Sequence, residues 1–188
     1  PDYSNSAINN LTNTDLTFIF SINCLTGKYN WNNECFAEKF HRHRDGMNNA
    51  GALGIIAASE TSYSFVNDTY VWGMYDNMWP DFMPDYGTPP ESRDVRPAFG
   101  NAGGKYFLQQ SQWPYNTDNK EVTYNLFHHH GDAFLMVYSE VPEEVVADHL
   151  PFLIPGETTF TVTAEEGALI AITVDGDIIG TGVGTGEA

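Results

Sequence analysis

The stretch Leu16-Thr17-Phe18-Ile19-Phe20-Ser21-Ile22 most narrows what this chain can fold into. Leu16, Phe18, Phe20 and Ile22 fall on one face of an extended backbone, and the apolar Ile19 lies between Thr17 and Ser21 on the other. That is the pattern of a largely buried strand in an α/β sheet. The strand is expected to stop at Cys24, where Gly27 lets the backbone turn away. Open α/β sheets place ligands and reactive groups at the carboxyl ends of their strands, which is a useful place for a thiol nucleophile. Free cysteine is also among the most buried residue types, so this stretch alone leaves a structural cysteine equally open.

The following segments complete a strand-helix-strand unit. Lys28 to Asn33 reads as an aromatic-polar loop, and Cys35, Phe36, Lys39 and Phe40 have helical spacing. A helix is expected from Glu34, capped by Asn33, to about Arg44, closed by His41, Arg42, His43 and Arg44 and then Asp45-Gly46. His41 and His43 read as helix-end cations rather than metal ligands. The apolar run Ala52 to Ser59 reads as the next parallel strand, reached by a right-handed crossover. The segment Ser59 to Phe65 then shares a sheet edge with Cys24. Ser59, Tyr63, Ser64 and Phe65 would wall any pocket there.

Further along, Val71, Met74, Tyr75 and Met78 share one helical face, a core-packing pattern. Pro80 to Pro97 holds five of the ten prolines and reads as a surface excursion. Ala98 to Gln110 is expected as a helix set closely on the sheet through its small residues. Glu121 to Phe127 is helical or extended, and Ala133 to Tyr138 is expected to close the sheet as a strand. Between them lies His128-His129-His130, whose successive side chains diverge on any regular element, so a helix-end or loop cluster is favoured over a zinc site. Calcium is the better ionic guess for so acidic a chain, with Asp76, Asp81, Asp85 and Asp94 near the excursion, although no loop has regular calcium-ligand spacing.

From Pro142 the sequence changes to alternating strands. Thr159 to Thr163, Ala168 to Val174 and Ile178 to Gly182 are separated by Glu165-Glu166-Gly167 and by the hairpin pair Asp175-Gly176. Three or four strands are about half of a β-sandwich, and their edges call for a strand partner.

Composition narrows the partners. Eight basic against twenty-five acidic side chains give a formal charge of −17, which disfavours nucleic acid and anionic membrane. No apolar run approaches the ~20 residues of a membrane span. Pro1 opens the chain without a signal-peptide pattern, as a processed chain would. Cys24 and Cys35 are not expected to be bridged, one ending a strand and the other packing under a helix. Few basic residues and the sequons Asn10-Leu11-Thr12 and Asn67-Asp68-Thr69 suit a secreted or cell-surface protein.

Several of these blocks together resemble a known family. Phe18-Ile19-Phe20 through Cys24 and Gly27, then Cys35-Phe36-Ala37-Glu38, Asp45-Gly46, Gly51 with Ile55-Ile56-Ala57, and Gly131-Asp132 are similar, in order and spacing, to the second half of a gingipain-type cysteine peptidase domain. The resemblance runs from Leu16 to about Ile179. It implies a caspase-like α/β domain, a mostly parallel sheet with flanking helices, over residues 1–145, then the beginning of an immunoglobulin-like β domain over 146–188.

The resemblance also implies a role for Cys24 as the nucleophile of peptide-bond hydrolysis, with no cofactor required and calcium as a possible structural ion. Ser59, Tyr63, Ser64 and Phe65 fall on the substrate-binding loop. The tryptophan found there in well-known members is replaced near Ser64, and the proline that follows their Gly-Asp is Ala133 here. The family's general base is a His-Gly pair upstream of the cysteine, and all six histidines here lie downstream of Cys24. A fragment of a secreted endopeptidase, completed by an upstream segment that carries the base, is therefore expected. The competing expectation is a catalytically inactive peptidase-like scaffold that serves as a structural or assembly subunit of a surface or filament.

Overall fold

The structure, a computed structural model, describes residues 4–79, 82, 95–111, 119–139, 141 and 144–186. It is a mixed α/β arrangement that divides into two units, Pro1–Tyr138 and Ser139–Ala188. Most of the excursion after Met78, including Asp81, Asp85 and Asp94, lies outside the described residues.

In the first unit a short helix α1 (Asn5–Ile8) precedes strand β1 (Thr17–Phe20). Phe18, Phe20 and Ile22 pack into one core cluster and Ile19 into two others, as the alternation requires. The strand ends at Phe20, earlier than expected, and Cys24 stands in the turn that follows. Helix α2 (Phe36–Arg42) begins two residues later than its spacing suggests. Its N-cap is Cys35 rather than Asn33, with the Glu38 carboxylate accepting from the Cys35 N–H at 3.0 Å, a capping box built on sulfur. The helix ends at Arg42, and Asp45-Gly46 instead turns a small ribbon, β2 (Arg44–Asp45) against β3 (Asn48–Asn49), with Gly46 at φ +61°.

Strand β4 (Ala52–Ala58) pairs in parallel with β1, Ile19 opposite Ile55 and Phe20 opposite Ile56. Helix α3 (Val66–Met78) follows, then α4 (Pro97–Gln110), α5 (Lys120–Leu126) and β5 (Phe127–His130). β5 pairs antiparallel with β4, so the histidine triplet is an edge strand of the β1-β4-β5 sheet, not a loop cluster. A strand was not the natural reading of three polar residues. They are accommodated because the ladder needs only backbone, while Phe127 anchors the core by stacking on Tyr70 at 4.4 Å. Ala133–Tyr138 forms no strand, and Val137 instead donates to the Val95 carbonyl at 3.0 Å.

The α4 glycines serve α3 rather than the sheet. A Cβ on Gly104 would stand 2.5 Å from the Tyr70 carbonyl oxygen, and one on Gly73 would overlap Phe107, 2.5 Å from its Cγ. Between them Tyr70, Met74 and Met78 are fully buried, each large side chain contributing about 1.5–3 kcal/mol.

In the second unit β6 (Ala147–His149), which the alternation did not mark, pairs antiparallel with β7 (Val162–Ala164), at the end of the expected Thr159 to Thr163 strand. β8 (Leu169–Val174) and β9 (Asp177–Val183) form a hairpin about Asp175 and Gly176, at φ +52° and +93°. Two positive values are what a two-residue primed turn demands. Leu169, Ile178, Ile179 and Val183 on this hairpin are exposed.

Two outcomes follow. Gly73→Ala would gain about 1 kcal/mol from helix propensity alone, yet the overlap with Phe107 should reverse the sign. A net loss of about 1–3 kcal/mol is expected in urea denaturation, and a stabilised variant would show that α3 and α4 do not meet there. Burial lowers the pKa of His128, His129 and His130, so the unfolded chain binds protons at those sites first as the pH falls. Their stability is fully present above the ordinary histidine value of about 6.5 and is lost as the pH falls through the depressed values. A urea midpoint that declines below about pH 6.5 is expected, and replacing all three with glutamine should flatten that decline.

Candidate active site

The parallel pairing of β1 and β4 brings their carboxyl ends to one edge, and Cys24 and the segment Ser59 to Phe65 both emerge there. Backbone bonds continue past the strands. Ser21 N–H donates to the Ile56 carbonyl at 2.8 Å, Gly27 to Ala58 at 2.8 Å and Leu25 to Glu60 at 3.2 Å. Gly27 matters for approach: a Cβ there would lie 2.9 Å from the Ala57 Cβ and 3.0 Å from its carbonyl oxygen. The turn carrying Cys24 is thereby pressed against β4. Lys28 and Glu60 close across the two loops at 2.6 Å.

Cys24 is exposed and its thiol is free. Its Sγ lies 3.4 Å from the Ser62 Oγ and accepts from the Ser62 N–H at 3.3 Å, with the Ser62 carbonyl oxygen at 3.5 Å. The Ser62 hydroxyl, followed by its backbone N–H, holds the Cys24 thiol below its ordinary range, against a smaller opposing effect of burial. Cys35 is the reverse case. It is buried in the core with Ala37, Ile55 and Ala57, and burial pushes its thiol up.

Within the other loop the side chains divide. Ser59 turns inward, its hydroxyl donating to the Leu126 carbonyl at 3.2 Å. Tyr63, Ser64 and Phe65 are exposed, and Phe65 takes φ +66°, which is strained for an aromatic residue. Leu25, next to the cysteine, also takes a positive φ, +63°.

Two residues were missed in the sequence. Ser62 lies inside the loop, between the sequence candidates Ser59 and Tyr63. Asn67 read as a glycosylation sequon, but it lies in α3 with only 7% of its surface exposed. Its Nδ2 donates to the Ser62 Oγ at 2.7 Å and to the Ile22 carbonyl at 3.3 Å, so in the folded chain it is no acceptor for a glycan. The signal was present: its spacing from Val71, Met74 and Met78 puts Asn67 on the apolar face.

The six histidines stand elsewhere in the chain, at the α2 end (His41, His43), on β5 (His128, His129, His130) and on β6 (His149). Asp76 is buried on α3, and no cluster of three metal donors is found among the described residues. No described helix is long and apolar enough to cross a membrane.

Comparison with known proteins identifies a family and a fold. Residues 2–138 match peptidase family C25. Gingipain R2 of Porphyromonas gingivalis is 25% identical over 187 residues, an alignment covering 96% of this chain and 23% of that protein. Lys-gingipain of the same organism is 26% identical over 209 residues, covering 97% of this chain and 11% of the relative. Among solved structures, the Arg-specific cysteine proteinase gingipain R (RgpB) superposes with a TM-score of 0.80 at 22% identity, over 96% of this chain and 40% of that one. The complex of Porphyromonas gingivalis RgpB pro- and mature domains gives 0.74 at 21% identity, over 95% and 40%. The chain thus spans less than half the length of the proteins it matches.

The contrast between the two thiols is directly measurable. At neutral pH iodoacetamide should label Cys24 at least about tenfold faster than Cys35, because the thiolate is the reacting form and Cys35 is both buried and protonated. Peptide mapping that found Cys35 labelled first would remove Cys24 from consideration as a nucleophile.

Proposed function

This chain belongs to peptidase family C25, and we propose that it is the cysteine-bearing part of a secreted, gingipain-like endopeptidase in which Cys24 is the nucleophile. The observation that carries the proposal is an exposed thiol at the carboxyl edge of the sheet, held below its ordinary pKa by donors on the neighbouring loop. In this reading the thiolate attacks the substrate carbonyl carbon, a C–S bond forms, and the carbonyl π electrons move to oxygen, where the Cys24 N–H donates. Collapse breaks the C–N bond, the leaving amine takes a proton from the protonated base, and water then hydrolyses the thioester.

The base is assigned to a His-Gly pair on a complementary upstream segment, since the histidines here stand on other elements. Tyr63, Ser64 and Phe65 are assigned to substrate contact, and their exposure beside Cys24 supports this. Ser59, bonded to Leu126, shapes the loop from beneath. The first unit is read as the carboxyl part of a caspase-like domain. The second is read as the start of an immunoglobulin-like domain, whose exposed apolar strands suit a strand partner. The chemistry needs no cofactor, and a structural calcium ion would serve the acidic surface.

The second reading, a catalytically inactive scaffold in a surface assembly, is favoured by the partners of the Cys24 sulfur among the described residues, which are atoms of Ser62 rather than of a histidine. Peptide cleavage by the intact protein decides between them. Cys24→Ala should reduce turnover by at least about 1000-fold with folding unchanged. An intact protein whose Cys24 alkylates readily but which cleaves no member of a peptide library would refute the peptidase reading and leave the scaffold.

A further inference from the structure

We propose that Ser62 is a catalytic residue of this site, a two-handed donor to the Cys24 sulfur, and that Asn67 is the positioning residue that aims its hydroxyl. The proposal rests on reading Cys24 as the nucleophile and gives it a means of holding its thiolate.

Ser62 touches the sulfur in both protonation states. The neutral thiol donates to the Ser62 carbonyl oxygen at 3.5 Å. When its proton leaves for the base, the S–H pair stays on sulfur and that contact is lost. The Ser62 N–H at 3.3 Å and its O–H at 3.4 Å then both donate to the anion. Hydrogen bonds to a charged acceptor are about twice as strong as neutral ones. As the same electron pair forms the C–S bond, charge passes to the substrate oxygen and the two donors relax.

The hydroxyl can play this part only if its single proton points at sulfur, and Asn67 enforces that direction. Its Nδ2 donates to the Ser62 Oγ at 2.7 Å, occupying a lone pair there, and to the Ile22 carbonyl at 3.3 Å. A carbonyl oxygen accepts and never donates, so the amide nitrogen must face this side. The arrangement is costly elsewhere. Asn67 and Ser62 are 7% and 9% exposed, and the Asn67 Oδ1 is buried without a hydrogen-bond partner among the described residues. An asparagine near the start of a helix, sealed in and half-satisfied, is explained by what its donor side does.

The backbone is bent to the same end. Leu25 follows Cys24 and Phe65 lies between Ser62 and Asn67, and both take a positive φ, +63° and +66°. Charge does not substitute for the contact. Of the ionic groups on the two loops, Lys28 and Glu60 pair with each other at 2.6 Å, and Glu34 pairs with Lys39 and Arg42 of α2.

The test is the rate of Cys24 alkylation by iodoacetamide from pH 5 to 10 on the full chain, read by peptide mapping. Ser62→Ala keeps the backbone donor and loses the hydroxyl. Its midpoint should rise by about one unit, a roughly tenfold slower reaction near neutrality, with the high-pH plateau unchanged. Ser62→Thr should restore the midpoint, and Asn67→Leu, which fills the same space without donors, should shift it in the direction of Ser62→Ala. Coincident midpoints for wild type, S62A and N67L in cooperatively melting proteins would overturn the proposal, as would S62A and S62T shifting alike. Alkylation needs neither base nor substrate. An inactive protein with the shifted midpoints would therefore refute the peptidase reading alone, and an active one without them would refute this clamp alone.

Discussion

The parallel pairing of β1 with β4 is the interaction on which the rest depends. Its register sets Ile19 opposite Ile55 and Phe20 opposite Ile56, and a slip of one residue would send every side chain of β1 to the wrong face. The ladder does not end with the strands. Ser21 to Ile56, Gly27 to Ala58 and Leu25 to Glu60 carry it into the turn around Cys24, and the Ser62 contacts with sulfur extend it by one more step. The candidate site is thus a continuation of the sheet. The thiol and its donor are placed by the same backbone bonds that hold the strands together.

That placement draws on packing some distance away. Leu25 and Phe65, both at positive φ, each carry a cost of about 1–3 kcal/mol. The offset lies in α3. Phe65 is the residue from which that helix departs, and Tyr70, Met74 and Met78 along it are fully buried against α4 and the sheet. The glycines at 73 and 104 let α3 and α4 approach closely enough for this burial. Asn67 reaches the Ser62 hydroxyl because the helix that bears it is fixed by its far turns.

The sequence carried the apolar logic well and the polar logic poorly. Alternation in Phe18, Ile19 and Phe20 and the run Ala52 to Ala58 announce two strands, and the helical face of Val71, Met74 and Met78 announces α3, because burial imposes a period that residue type reports. The histidine strand is silent in those terms. β5 is held by backbone bonds to β4 and by one buried aromatic, Phe127, so nothing in His128, His129 or His130 marks it as a strand. Cap and turn chemistry misled in a similar way: Asn33 is the better N-cap by type, yet burial of Cys35 beside Ala37 and Ile55 moved the cap to sulfur. Cys24 was visible by position and Asn67 by its place on the apolar face of α3, whereas the Ser62 contacts with sulfur depend on loop geometry that no spacing encodes.

Electrostatics explains why short contacts govern the thiol. A formal charge of −17 on the chain opposes formation of a further anion. Most of the described acidic side chains are exposed, and at physiological ionic strength their charge is screened beyond about 8 Å. The Ser62 donors act at 3.3 and 3.4 Å, inside the range where ions do not intervene. The shift of the Cys24 thiol is downward, and its causes are the Ser62 hydroxyl and backbone N–H rather than a neighbouring cation. Fixed neutral dipoles have a further advantage over a lysine beside the sulfur. They favour the thiolate without adding a competing ion pair, so the anion remains free to spend its electron pair on a carbonyl carbon.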